Sequence, residues 1–236
     1  MLWSLAWGIA DLSAQPAKNF LRDLHDYRAE VSAEQWSQAI AGLDTAIRTN
    51  PLSAHYKAER ARLLEWRSWN GDIDSKRSLR WRAAAVAEFR RAIASRPTWG
   101  IAWAELAQCA ALLDGLTAEV RAALERSVEL APWDRAVQRK ILWIGLLTFN
   151  ELDEKSRATV RGVARNILRL NQDVRLLEAL SAQYGWDAEL RVAKQALTLE
   201  RRNLKTRRLG NVDHGADIDQ EPEVDRRPAA NHRPGQ

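Results

Sequence analysis

The chain has 236 residues, 46% of them hydrophobic and 28% charged, with a formal net charge of +5. That length buries one substantial core or several small stacked units. A single cysteine, Cys109, excludes internal disulfides and cysteine-based zinc sites. Scarce glycine and proline beside abundant Ala, Leu, Arg and Glu predict an all-α chain.

In chain order, Met1–Ala10 is apolar but lacks a basic lead, and it is shorter than the roughly 20 residues that span a bilayer. Residues 1–18 read in three ways: a packed segment, a poor signal peptide with Leu12-Ser13-Ala14 as a weak cleavage site, or part of an anchor. Helices are expected at 19–30, 33–49, 53–69, 75–95, 99–113, 117–130, 134–149, 155–170, 173–183 and 187–206. Ser32 with Gln35 has the form of a capping box. Thr49-Asn50-Pro51, Asn70-Gly71-Asp72 and Asp114-Gly115 punctuate the helices. Asp74 or Ser75, Thr117, Asp134, Asp153, Asp173 and Asp187 are each placed to cap the helix that follows.

Superimposing Pro51, Pro97 and Pro132 exposes a repeat. Five residues before each proline stands a small residue (Ala46, Ala92, Ser127), and before that a bulky one (Leu43, Phe89, Leu124). This resembles the tetratricopeptide motif, in which a small residue lets two helices approach and the proline ends the hairpin. The resemblance implies a right-handed stack of antiparallel helical hairpins over residues 19–206. Pro97 to Pro132 is close to the ~34-residue period of that motif. Pro51 to Pro97 is longer, and the excess lies at residues 66–82. After Pro97, Trp99 and Trp103 stand about one turn apart and are expected to hold helices together. Residues 207–236, rich in Gly, Pro, Asp and Arg, read as a disordered tail.

No residue pattern points to catalysis. His25, His55, His214 and His232 are far apart, with no helical pair to ligate a metal. No glycine-rich phosphate loop follows a strand, and the carboxylates fall at caps and on solvated faces. No cofactor is expected. Cys109 sits in an apolar helical run and reads as a small buried residue. The 11 tryptophans, against three Phe and three Tyr, read mainly as filling between helices. The candidate for binding is the insertion, where Trp66, Trp69 and Trp81 alternate with Arg67, Arg77, Arg80 and Arg82. Indole faces suit sugar rings or lipid boundaries, and guanidinium forks suit phosphate or carboxylate. Arg201, Arg202, Lys205, Arg207 and Arg208 complement a helix C-terminus, and the acidic residues that follow disfavour nucleic acid.

Arg96-Pro-Thr-Trp-Gly-Ile-Ala-Trp-Ala-Glu-Leu-Ala107, Leu130-Ala-Pro-Trp-Asp-Arg-Ala-Val-Gln138 and Gly145-Leu-Leu-Thr-Phe-Asn-Glu-Leu152 together resemble the VpsP-type polysaccharide-biosynthesis proteins. The resemblance covers residues 20–180 and is strongest between Phe89 and Leu152. Gly100 stands where that family favours proline, Ala131 where it favours glycine, and Phe149-Asn150 where tryptophan is common. The resemblance implies a tetratricopeptide-like accessory protein of bacterial exopolysaccharide assembly or export, with no catalytic residues to carry over. It also implies a membrane-targeting start and an inner-membrane-associated or periplasmic setting, with the cytoplasm as the alternative. The expected partners are proteins of that machine. The second reading is direct binding of glycan or anionic lipid through residues 66–82.

Overall fold

The computed structural model describes residues 2–25, 32–69 and 75–213, and every element among them is helical. The helices are α1 (Leu2–His25), α2 (Ala33–Thr49), α3 (Ala54–Trp69), α4 (Lys76–Ser95), α5 (Gly100–Asp114), α6 (Ala118–Leu130), α7 (Arg135–Leu147), α8 (Glu154–Leu170), α9 (Val174–Gln183) and α10 (Asp187–Asp213). A 3-10 turn, Phe149–Glu151, links α7 to α8. The turn residues Asn70, Gly71, Asp72 and Asp74, the chain from His214 on (with His232), and the side chains of His25, Lys205, Arg207 and Arg208 lie outside the described residues. Two compact units are distinguished, residues 1–193 and 194–236.

Local chemistry explains most helix ends. The Ser32 hydroxyl accepts from the Gln35 amide while the Gln35 side chain accepts from the Ser32 amide, which completes the capping box. Ser75, Thr117, Asp134 and Asp153 each accept backbone amides of the first turn they precede. Two expected caps act otherwise. Asp173 precedes α9 with left-handed φ 54° and makes no capping bond, because its carboxylate is taken by two arginines of α7. Asp187 is the first helical residue of α10, where its charge favours the helix N-terminus without capping it.

The largest difference from the sequence reading is at the N-terminus. The expected helix at 19–30 is the end of a 24-residue helix that starts at Leu2. One stripe of it, Ala10, Ala14, Ala17 and Phe20, is buried with Ala39, Leu43 and Ala46 of α2 and Tyr56 and Leu63 of α3. Pro16 lies inside α1. At the other end, α10 runs to Asp213, so residues 207–213 of the expected disordered tail are helical. No helix among the described residues is long and apolar enough to cross a membrane.

From α1 to α9 each helix packs on the next, and α1 also meets α3, α5 meets α7, α6 meets α8 and α7 meets α9. Short helices gain stability only by burying a face on neighbours, so this pattern carries the core along the chain. Of the residues read as repeat packing, Leu43, Ala46, Phe89, Ala92, Leu124 and Ser127 are buried. The prolines Pro51, Pro97 and Pro132 sit in the turns after α2, α4 and α6. Trp103 is half-buried and its indole N–H donates to the Pro97 carbonyl at 2.8 Å, pinning the junction to the helix that follows it.

Helix approach is closest at glycines. A Cβ on Gly42 would lie 2.2 Å from the Ser13 carbonyl oxygen of α1, and one on Gly100 would lie 2.6 Å from the Ala131 Cβ. One on Gly145 would meet the Val160 methyl of α8 at 2.3 Å. By contrast, a Cβ on Gly162 meets open space. Gly42→Ala should therefore destabilise by about 1–3 kcal/mol, since its neighbour is backbone that cannot rotate away. Gly162→Ala should stabilise by up to about 1 kcal/mol through helix propensity alone. Urea denaturation of the two variants checks the opposite signs.

Candidate functional site

The seven insertion residues divide by helical register. On α4, Ser78, Arg82, Ala85, Val86 and Phe89 face inward, which leaves Arg77 and Arg80 exposed to solvent. Trp66 stacks edge-on against Phe20 of α1 with ring centroids 5.0 Å apart. Trp81 stacks similarly against Trp36 of α2 at 5.4 Å. The Trp36 indole N–H donates to the Leu63 carbonyl, and Arg67 lies over its ring. These rings fill the space between α1, α2, α3 and α4. Of the expected site, only Trp69 and Arg82 remain together and distinct from that packing: the Arg82 guanidinium lies 5.6 Å from the Trp69 ring centroid.

A second arrangement was not singled out from the sequence. The Arg62 guanidinium of α3 donates to both oxygens of Glu105 on α5, at 2.7 and 3.0 Å. Lys140 of α7 donates to the Gln108 side-chain oxygen of α5 at 2.8 Å. Counting from the junction prolines gives the rule. Arg62 stands eleven residues after Pro51 and Gln108 eleven after Pro97, while Glu105 stands eight after Pro97 and Lys140 eight after Pro132. Each bond thus joins the eleventh position of one unit to the eighth of the next, on one face of α3, α5 and α7.

The following helices form a matching series. Arg90 of α4 grips Glu119 of α6 at 2.8 and 2.6 Å, and Glu125 of α6 pairs with Lys155 of α8. Arg90 and Glu125 both stand seven residues before a junction proline. Alignment by proline would have exposed these positions, but the residue types differ from unit to unit, so composition at each position gave no signal.

Behind the first series lies a buried charged cluster. Glu65 of α3 is 9% exposed, and burial pushes its carboxyl up to about 7. Lys140, Arg62 and Arg82 act against that rise, and Glu105 adds to it. Cys109 of α5 is fully buried; burial first, then the Glu65 charge, pushes its thiol above the ordinary range. Its S–H donates to the Arg82 carbonyl at 3.7 Å. This matches the reading of Cys109 as a small buried residue. His55, read as a surface residue, is mainly exposed and pairs with the buried Glu59 one turn along α3 at 3.0 Å. Among the described residues no group of three or more His, Cys, Asp or Glu side chains is arranged to hold a metal ion.

Comparison with protein-family models, with curated proteins and with solved structures finds no match to this chain.

Two carboxylates make opposite predictions. Hydrogen bonds from Arg135 and Arg139 hold the Asp173 carboxyl well below the ordinary carboxylate range. Its stabilising contribution is therefore present above about pH 3.8, the ordinary value, and is lost as acid protonates it. Asp173→Asn should cost about 1–3 kcal/mol at neutral pH, reduced by solvent around the half-exposed arginines. Glu65 has the raised value, so its contribution is present below pH 4.5 and fades as pH climbs toward about 7. Glu65→Gln, which mimics the neutral form, should match the parent near pH 4 and exceed it by about 2–4 kcal/mol at pH 8. Thermal denaturation across pH measures both.

Proposed function

We propose that this chain is a non-enzymatic scaffold that holds a partner protein on the face shared by α3, α5 and α7. The observation that carries the reading is the pair of polar series at equivalent positions. They bind successive first helices to one another and successive second helices to one another, as hairpins in a tetratricopeptide-like stack would require. A right-handed stack of this kind presents one continuous face of first helices, studded with polar groups and tryptophan. Here that face includes Ile101, Gln108, Lys140 and Trp143, all half-buried and so partly open to contact. Trp143 follows Pro132 by eleven residues, which places it in register with Arg62 and Gln108.

The setting we propose, exopolysaccharide assembly or export at the inner membrane or in the periplasm, rests on the resemblance carried by residues 89–152 and on nothing else. The surface proposal stands apart from it.

Photo-reactive residues placed singly at Ile101 and Trp143 of the full chain, expressed in its native cell, test the surface. Both positions should yield adducts to the same protein, whereas Ala122, exposed on α6, should not. Adducts that are equal from all three positions, or absent from Ile101 and Trp143, would overturn the reading. The identity of the captured protein tests the polysaccharide setting separately.

A further inference from the structure

Arg82 is the largest fully buried side chain of the described residues, at 2% exposure. One of its terminal nitrogens, Nη1, donates to the Leu112 carbonyl at the end of α5, 3.0 Å away. Its other two, Nε and Nη2, are buried and make no hydrogen bond. An ionised group shielded from water demands a counter-charge and acceptors for its donors. No carboxylate among the described residues forms an ion pair with Arg82.

The free edge has a defined preference. Nε and Nη2 form the side of the guanidinium that meets a planar carboxylate with two parallel bonds. Among the described residues this same edge meets a carboxylate four times: Arg62 on Glu105, Arg90 on Glu119, and both Arg135 and Arg139 on Asp173. The cations Arg62, Lys140 and Arg82 act on Glu65 beside Glu105, and Glu59 also acts on Arg62.

Access lies on the side of Trp69. This residue ends α3, is 40% exposed, and lies over the buried guanidinium. Binding at Arg82 requires this ring to turn away from the guanidinium and to present its face to the ligand. We propose that Arg82 and Trp69 form a binding site for a small organic carboxylate. The carboxylate oxygens take the Nε and Nη2 donors, and the body of the ligand packs on the indole. The site is separate from the face of α3, α5 and α7 proposed to hold a protein partner, so either can fail alone.

Ligand binding should depend on the protonation of Glu65, which Lys140 of α7, Glu105 and Cys109 of α5, Arg62 of α3 and Arg82 of α4 all face. Protonating Glu65 removes a negative charge that acts on Arg82, so affinity for an anion should be higher at pH 6 than at pH 8. Glu65→Gln should remove most of that difference.

The test titrates the full chain with glucuronate and benzoate, each beside its neutral counterpart, glucose and benzamide, and with phosphate. Tryptophan fluorescence and calorimetry follow the binding. At least one carboxylate should bind measurably more tightly than its neutral counterpart and than phosphate. Arg82→Lys, which keeps the charge and loses the fork, should weaken it by about tenfold or more. Trp69→Leu keeps Arg82 and tests the site should the lysine variant unfold; it should weaken the ligand without abolishing the preference for a carboxylate. Arg126→Lys, at a half-buried position of α6 paired with Glu129, should leave binding as in the parent. Carboxylates no better than their neutral counterparts, an equal response to phosphate, or affinity unchanged in both Arg82→Lys and Trp69→Leu would each overturn the proposal.

Discussion

Close approach of helix backbones is the constraint on which this structure depends. Helices of 10–20 residues have little stability alone in water and persist only by burying a face. Here the buried faces are lined with alanine, and three glycines leave no room for a side chain against a neighbouring segment: Gly42 on Ser13, Gly100 on Ala131, Gly145 on Val160. Small residues bury less apolar area per side chain than leucine does, but they let helices come near enough for many weak contacts to act together. The bulky residues then have fixed places. Leu43, Phe89 and Leu124 fill the space that the small residues leave at each hairpin.

Shape alone does not fix which helix neighbours which, because alanine faces are alike. Polar pairs between helices supply that information. Arg90 meets Glu119, but at the equivalent place of the next unit Glu125 meets Lys155, so the sign is reversed. A unit moved out of order would set like charges together, an arrangement that costs free energy. Arg62 with Glu105 and Gln108 with Lys140 do the same on the other face. The exposed pairs contribute little to net stability, and their effect is on order and register.

Much of this was legible in the sequence, for physical reasons that differ by residue. The junction prolines, the caps at Ser32, Thr117, Asp134 and Asp153, and the small-residue positions Ala46 and Ala92 act through local chemistry, which a sequence displays directly. The departures at Gly100 and Ala131, noted separately along the chain, prove to be one contact: glycine at the start of α5 makes room for the alanine that ends α6. The first turns of α1, before residue 19, were not read as helix because the inward stripe there is alanine, which gives a weak apolar pattern. Asp173 was misread because a cap and an ion pair use the same carboxylate, and only the fold decides between them. The division of the Trp/Arg insertion was hidden for a similar reason. Spacing places residues on faces, but it does not tell which face a neighbouring helix covers.

The solitary thiol gives the molecule a clock. Cys109 is sealed between α4 and α5, and its proton is held by burial, so a thiol reagent in solution meets almost no thiolate while the helices are closed. Modification then proceeds only through openings that part this region, whose frequency is set by local stability. No second cysteine competes for the reagent. The rate of labelling would thus count separations of α4 from α5 in the unaltered chain, with no probe introduced.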